Sequence, residues 1–243
     1  MKILKKSIIG CLLLAGMTMS SCDFLDVVPE ENATGEDMTK DRQAALNYLY
    51  SCYGYLPQPN HGTSSLDLLT GDEVVTAFEH EKFAAFPKGN YTASSPVISY
   101  WNTLYQGIRQ CLSFEEELNK GGNFSGLEDK DRVDYKAQVK FLLGYYDFLL
   151  TRCYGPIILV TTKPDAKRNP ENYLPRTSYD VCVDSIVNYF DQAAKGLPAT
   201  RTGTQSSEFG LATSVAAKAM KAKTLLLAAS PLFNGNSKFY ADF

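Results

Sequence analysis

The chain has 243 residues, with 24 Lys+Arg against 27 Asp+Glu and 44% hydrophobic residues. That is enough for one large domain or two small ones, and 15 Tyr with 13 Phe exclude disorder as the main state. With the three lysines of residues 1–21 set aside, 21 basic residues face 27 acidic ones, a net charge of −6. A surface so acidic matches phosphate backbones poorly and argues against a nucleic-acid partner. Two histidines, His61 and His80, are too few for a His-rich metal site. Six cysteines are too sparse for a disulfide scaffold.

The chain begins with a basic start at Lys2, Lys5 and Lys6, followed by an apolar run over residues 8–19. A membrane span needs about 20 apolar residues, so this run fits the core of a secretory signal instead. Met19-Ser20-Ser21-Cys22 then places small residues directly before a cysteine, as in bacterial lipoprotein cleavage sites. Residues 1–21 are therefore expected to be a lipoprotein signal peptide, with Cys22 the acylated first residue of the mature chain. Acyl chains contribute about 0.8 kcal/mol per buried CH₂, so two or three of them anchor stably. Asp23 and Asp26, just after the cysteine, are similar to a surface-export signal of some Bacteroidetes lipoproteins. Residues 22–40 read as a polar tether, and a helical domain is expected from 41 to 243.

The first helix is expected over residues 41–56, with Ala45, Leu49, Cys52 and Leu56 on one face and Pro57 and Pro59 stopping it. A connection of uncommon length, residues 57–95, follows; loops of that length often carry function. Ser95-Pro96 has the pattern of a cap and first turn for the second helix. Trp101, Leu104, Tyr105, Ile108, Leu112 and Leu118 line one of its faces, and Gly121-Gly122 ends it. The third helix spans residues 128–154 with two apolar stripes. One is Val139, Leu142, Leu143, Tyr146, Leu149 and Leu150; the other is Phe141, Tyr145 and Phe148. Such a helix is packed between neighbours. Gly155-Pro156 ends it, and residues 157–160 form a strand or an extended link.

The fourth helix starts at Thr177 or Ser178, buries Val183, Ile186, Val187, Phe190, Ala194 and Leu197, and stops at Gly196 and Pro198. The fifth covers residues 211–229, where Ala212, Ala216 and Ala219 would allow close approach of a neighbour. The fold class is all-α: stacked helical hairpins in series, with the fifth helix left without a partner. Its face along Val215, Ala219, Leu226 and Ala229 is expected to be exposed, and a chain ending at Phe243 looks incomplete for such an array. Cys52, Cys111, Cys153 and Cys182 sit in helical patterns with no CxxC spacing and read as small core residues.

Six motifs, in order along the chain, resemble the SusD/RagB family of outer-membrane nutrient-binding lipoproteins. They are Cys22-Asp23-Phe24-Leu25-Asp26 with Pro29, Tyr53-Gly54-Tyr55-Leu56-Pro57, Trp101-Asn102-Thr103-Leu104-Tyr105 leading to Ile108-Arg109-Gln110-Cys111, Phe141-Leu142 through Tyr154-Gly155-Pro156, Pro175-Arg176-Thr177-Ser178-Tyr179, and Ala228-Ala229-Ser230-Pro231-Leu232-Phe233-Asn234-Gly235. The resemblance implies a tetratricopeptide-like helical scaffold carrying long ligand loops. It implies a lipid-anchored, surface-exposed protein of the outer membrane that binds a glycan or other nutrient and passes it to a SusC-like TonB-dependent porin. It implies no enzyme activity and no cofactor. Family members are usually longer, so this chain would be an N-terminal portion, with much of the ligand surface beyond it.

In starch-binding members an Asp-Glu pair in this loop precedes an aromatic residue that stacks on sugar. Asp72-Glu73 and then Phe78 occupy that pattern here, with His80 and Glu81 just beyond. A flat ring against C–H faces, with charged groups for hydroxyls, is what sugar recognition asks for. Phe in place of the better Trp weakens a starch-type stack. The opposing readings are that Phe78, Phe83 and Phe86 only pin the loop to the helices, and that Asp72 and Glu73 cap a helix start near Val74. Glu79-His80-Glu81 does not converge on a metal, and no metal site is expected. Glu115-Glu116-Glu117 reads as a solvated run in which Glu115 alone shares the apolar stripe. No carboxylate pair marks a glycosidase. Gly121-Gly122-Asn123-Phe124-Ser125-Gly126 lacks the Lys of a phosphate loop and reads as a connector. Trp101 is expected in the core. The reading from another class is a helical-repeat lipoprotein that scaffolds outer-membrane assembly.

Overall fold

A computed structural model of the chain describes residues 37–57, 77, 82–92, 94–97, 99–120, 122–163, 174–201 and 208–236. The chain divides into two units between Met38 and Thr39, and the five α-helices of the described residues lie in the second. They are α1 (Arg42–Tyr53), α2 (Trp101–Asn119), α3 (Asp129–Tyr154), α4 (Tyr179–Gly196) and α5 (Ser214–Ala228). Among the described residues there is no strand; residues 157–160 are an extended link, and two isolated bridges, Asp41 with Ser125 and Thr92 with Ser95, are the only ladder pairs.

α1 starts where Asp41 accepts a hydrogen bond from the Ala44 amide at 2.9 Å, so its first orphan donors find an acceptor on the chain itself. It buries Ala45, Leu46, Leu49 and Cys52. α2 does not open at Ser95-Pro96. Ser95 is used in a tight turn, its amide donating to both the carbonyl and the hydroxyl of Thr92 at 3.1 Å, and the helix begins six residues later at Trp101. The expected cap is replaced by a residue from α3: the Tyr154 hydroxyl accepts from the amides of Tyr100, at 2.9 Å, and Trp101, at 3.2 Å.

α3 is the hub. It packs on α1, α2, α4 and α5, its most extensive contact being with α4. That is why its apolar residues run round the helix: Val139, Leu142, Leu143, Tyr146, Leu149 and Leu150 are all buried, and so are Phe141 and Phe148 on the second stripe. Two approaches are so close that only glycine fits. A Cβ on Gly107 of α2 would lie 2.8 Å from the Tyr146 ring, and one on Gly196 of α4 would lie 2.7 Å from the Ala137 Cβ. α4 in turn packs on α5, so the fifth helix does have a partner, and Lys221 of α5 reaches Asp191 of α4 at 2.7 Å.

Ala217 is fully buried in the core, whereas Ala219 is exposed: it lies on the face expected to be open with Val215, Leu226 and Ala229, and not at a close approach. That face of α5 is open, with Val215 60% and Leu226 75% exposed. Three of the four cysteines in the helical unit, Cys52, Cys111 and Cys182, are buried; Cys153 is only half-buried, and all four are free thiols. No helix among the described residues is long and apolar enough to cross a membrane.

Candidate functional site

The five residues picked out as ligand contacts, Asp72, Glu73, Phe78, His80 and Glu81, lie outside the described residues, as does Cys22. Of the connection between α1 and α2, residues 54–57 and Ala77 are described, and then the stretch from Lys82 onward. A single 3₁₀ turn, Lys82–Ala85, leads into Phe86. Phe86 packs with Ala85 and Tyr100 around buried Val97, which ties the loop to the residues just before α2; the side chains of Phe78 and Phe83, read with it as pins, lie outside the described ones. On Phe86 lies Tyr91, ring centroids 5.0 Å apart and planes within 18°. Tyr91 is 45% exposed. Its chain neighbours Asn90, Thr92, Ser94 and Ser95 are all exposed, with Thr92 and Ser94 Oγ atoms 3.1 Å apart. A supported flat ring beside amide and hydroxyl groups can take the C–H face of a sugar. Tyr91 has no periodic signal, being an aromatic residue in a polar run, and sequence reasoning passed over it.

Below the loop, the family-like motifs converge as joints of the scaffold. Trp101 is half-buried rather than in the core, edge-on to Tyr154 at 5.2 Å and tilted on Tyr105 at 5.0 Å. The Arg176 guanidinium lies 5.0 Å from its ring centre and donates to the carbonyls of Tyr154, at 2.9 Å, and Pro156, at 3.0 Å. The Tyr105 hydroxyl donates to the Ile158 carbonyl and accepts from the Ile158 amide. Burial pushes that phenol up to about 12, so it keeps the proton it donates. Gly155, at φ 71°, makes the sharp exit from α3 that brings residues 156–158 under these groups. Phe233 stacks on Tyr179 at 4.1 Å, tying the turn after α5 back to α4.

A second joint is polar and buried. Gln138 of α3, with no exposure at all, donates to the Ala212 carbonyl at 2.9 Å and accepts from the Ala212 amide at 3.1 Å, as another backbone would. Tyr53 donates to the same Gln138 oxygen and accepts from the Ala212 amide at 2.9 Å. Arg201 meets Asp134 through two 2.7 Å bonds and also reaches the Ala212 carbonyl. Burial raises the Tyr53 phenol above its ordinary value, and burial with a hydrogen bond to Cys52 raises the Cys111 thiol. None of these groups is set up as a nucleophile. Glu115 is half-buried, meeting Lys140 of α3 at 2.6 Å, but it is not alone in leaving the solvated run, since Glu117 is covered as much. Among the described residues no group of His, Cys, Asp and Glu could hold a metal ion.

The family model described as "Starch-binding associating with outer membrane" matches residues 23–226. The chain belongs to the SusD-like family. Among solved structures, the protein named BT4246 is 36% identical, with a TM-score of 0.69 over 84% of this chain and 34% of its own. A SusD-like protein from Bacteroides fragilis is 25% identical, with a TM-score of 0.66 over 80% of this chain and 36% of its own. A laminarin-binding SusD-like protein shares the fold at 19% identity and a TM-score of 0.62, over 77% of this chain and 40% of its own. No curated protein matches. The SusD-like chain described here thus spans about a third of the length of the solved structures it matches. Its fold is the all-α fold of that family, and the family is one of carbohydrate-binding proteins associated with the outer membrane, not of enzymes.

Proposed function

We propose that this chain captures a glycan at the outer membrane and delivers it to a SusC-like TonB-dependent transporter. The observation that carries the reading is the exposed Tyr91 ring backed by Phe86 in the connection between α1 and α2, on a chain of a starch-binding family. In this reading Phe78, His80, Glu81, Asp72 and Glu73 belong to the same loop and add ring and polar contacts to the ligand. The protein works by binding alone, needs no cofactor, and is held at the cell surface by the lipid on Cys22. A laminarin-binding relative with the same fold supports an oligosaccharide as the ligand class.

Affinity electrophoresis of the folded protein against starch, laminarin and other polysaccharides tests this, with Tyr91→Ala and Phe78→Ala run alongside. Retardation by one glycan, weakened in both variants, is the expected result. Retardation left untouched by both variants would move the site out of this loop. The anchoring claims have their own readouts: Cys22→Ala should release the protein from the membrane fraction, and protease added to intact cells should remove the parent protein. A protein protected from that protease would speak for the periplasmic scaffolding role instead.

A further inference from the structure

α3 carries two polar side chains inside its apolar surface, one helical turn apart: Asp147, 3% exposed, and Thr151, 2% exposed. Residues four apart share a face, so both point the same way. Neither Asp147 Oδ1 nor Thr151 Oγ1 has a hydrogen-bond partner among the described residues, and they do not bond each other. Buried polar atoms in folded proteins nearly always have a partner, from protein or from ordered water. We propose that Asp147 and Thr151 together hold one internal water molecule, sealed between α2, α3 and α4.

The surroundings say which ligand suits the place. Tyr105 and Cys111 of α2 and Cys182 and Tyr189 of α4 lie within electrostatic reach of Asp147. The first and third are already committed: Tyr105 bonds Ile158, and the Cys182 thiol donates to the carbonyl of Thr177 at 3.4 Å. Burial alone drives the Asp147 carboxyl towards its neutral form. A metal ion would need an ionised carboxylate and several more oxygens. A neutral carboxyl and a hydroxyl instead present donors and acceptors of both kinds, which is what a water molecule matches.

Water ¹⁷O relaxation dispersion, which counts long-trapped internal water molecules, is the test. The purified protein is compared with Asp147→Asn, which keeps polar atoms at the site, and with the Asp147→Leu/Thr151→Val double variant, which removes them. The parent and Asp147→Asn should share one amplitude, and the double variant should fall by the contribution of a single water. An unchanged amplitude in a folded double variant overturns the proposal. If the double variant does not fold, a crystal structure of the parent decides: density about 2.8 Å from both atoms supports water. A dry gap overturns it, and so does density about 2.4 Å away with the further oxygen ligands of a metal ion.

Discussion

A carboxyl group removed from water holds its proton more tightly, and Asp147 shows how much follows from one residue. Burial raises its pKa from 3.8 to about 8. Between those two values the folded chain holds one more proton than the unfolded chain, so stability falls as pH rises, by about 1.4 kcal/mol per pH unit. Below about pH 4 the contribution is fully present, and above about pH 8 no more is lost. Urea unfolding of the parent and Asp147→Asn at pH 5, 6.5 and 8 should give curves that separate steadily, with the variant gaining on the parent as pH rises. Two parallel curves would show that Asp147 ionises freely. Gly107 makes the opposite demand, for less atom rather than fewer charges. Its missing Cβ is the space of the Tyr146 ring, and that ring is tethered by its hydroxyl to the Cys52 carbonyl. Gly107→Ala should lower the unfolding free energy by about 1–3 kcal/mol, read from denaturant midpoints; an unchanged midpoint would mean that the α2–α3 contact is loose.

At the scale of the element, the helix ends are set by neighbours more than by their own residues. α2 has no side-chain cap of its own, and the Tyr154 hydroxyl from the end of α3 takes two of its first amides. Tyr154→Phe should cost about 1–2 kcal/mol and speed hydrogen exchange at Tyr100 and Trp101. The single Trp reports the same event, because Trp101 sits against Tyr154 and Arg176. A variant with unaltered exchange and emission would show that another group caps the helix. The link after α3 is held in the same manner, by Tyr105 on Ile158 and by Arg176 on Pro156, so α2, α3 and the approach to α4 are locked at one place.

At the scale of the described molecule, α5 packs on α4 and α3 and turns an apolar face outward. Val215, Ala219, Ala222, Leu226 and Ala229 share that face, and all are exposed. Apolar patches of this kind promote association. Light scattering over a concentration series should show mass rising with concentration for the chain described here. Val215→Glu with Leu226→Glu should return it to a monomer. A parent that stays monomeric at every concentration would remove this expectation.

The helices themselves could be read from the chain, because a 3.6-residue period is imposed by each helix's own burial. The two stripes of α3 announced a helix enclosed by neighbours, and four helices enclose it. The motifs that carried the family resemblance were legible too, but not as what they are: Trp101, Tyr105, Tyr154 and Arg176 act together as a joint of the scaffold. The loop between α1 and α2 stood out by its length alone. Within it Phe86 packs against Val97 and Tyr100, while Tyr91 beside it gives no pattern to read. The α2 cap could not be found locally, since Tyr154 is 54 residues from Tyr100 and Ser95 offered a plausible acceptor nearby. Gln138 finds the Ala212 backbone 74 residues away, and Arg201 finds Asp134 at a separation of 67. Apolar periodicity repeats along a segment and is written there. Hydrogen-bond satisfaction depends on which distant atoms arrive at a buried donor or acceptor, and only the packed helices bring them together.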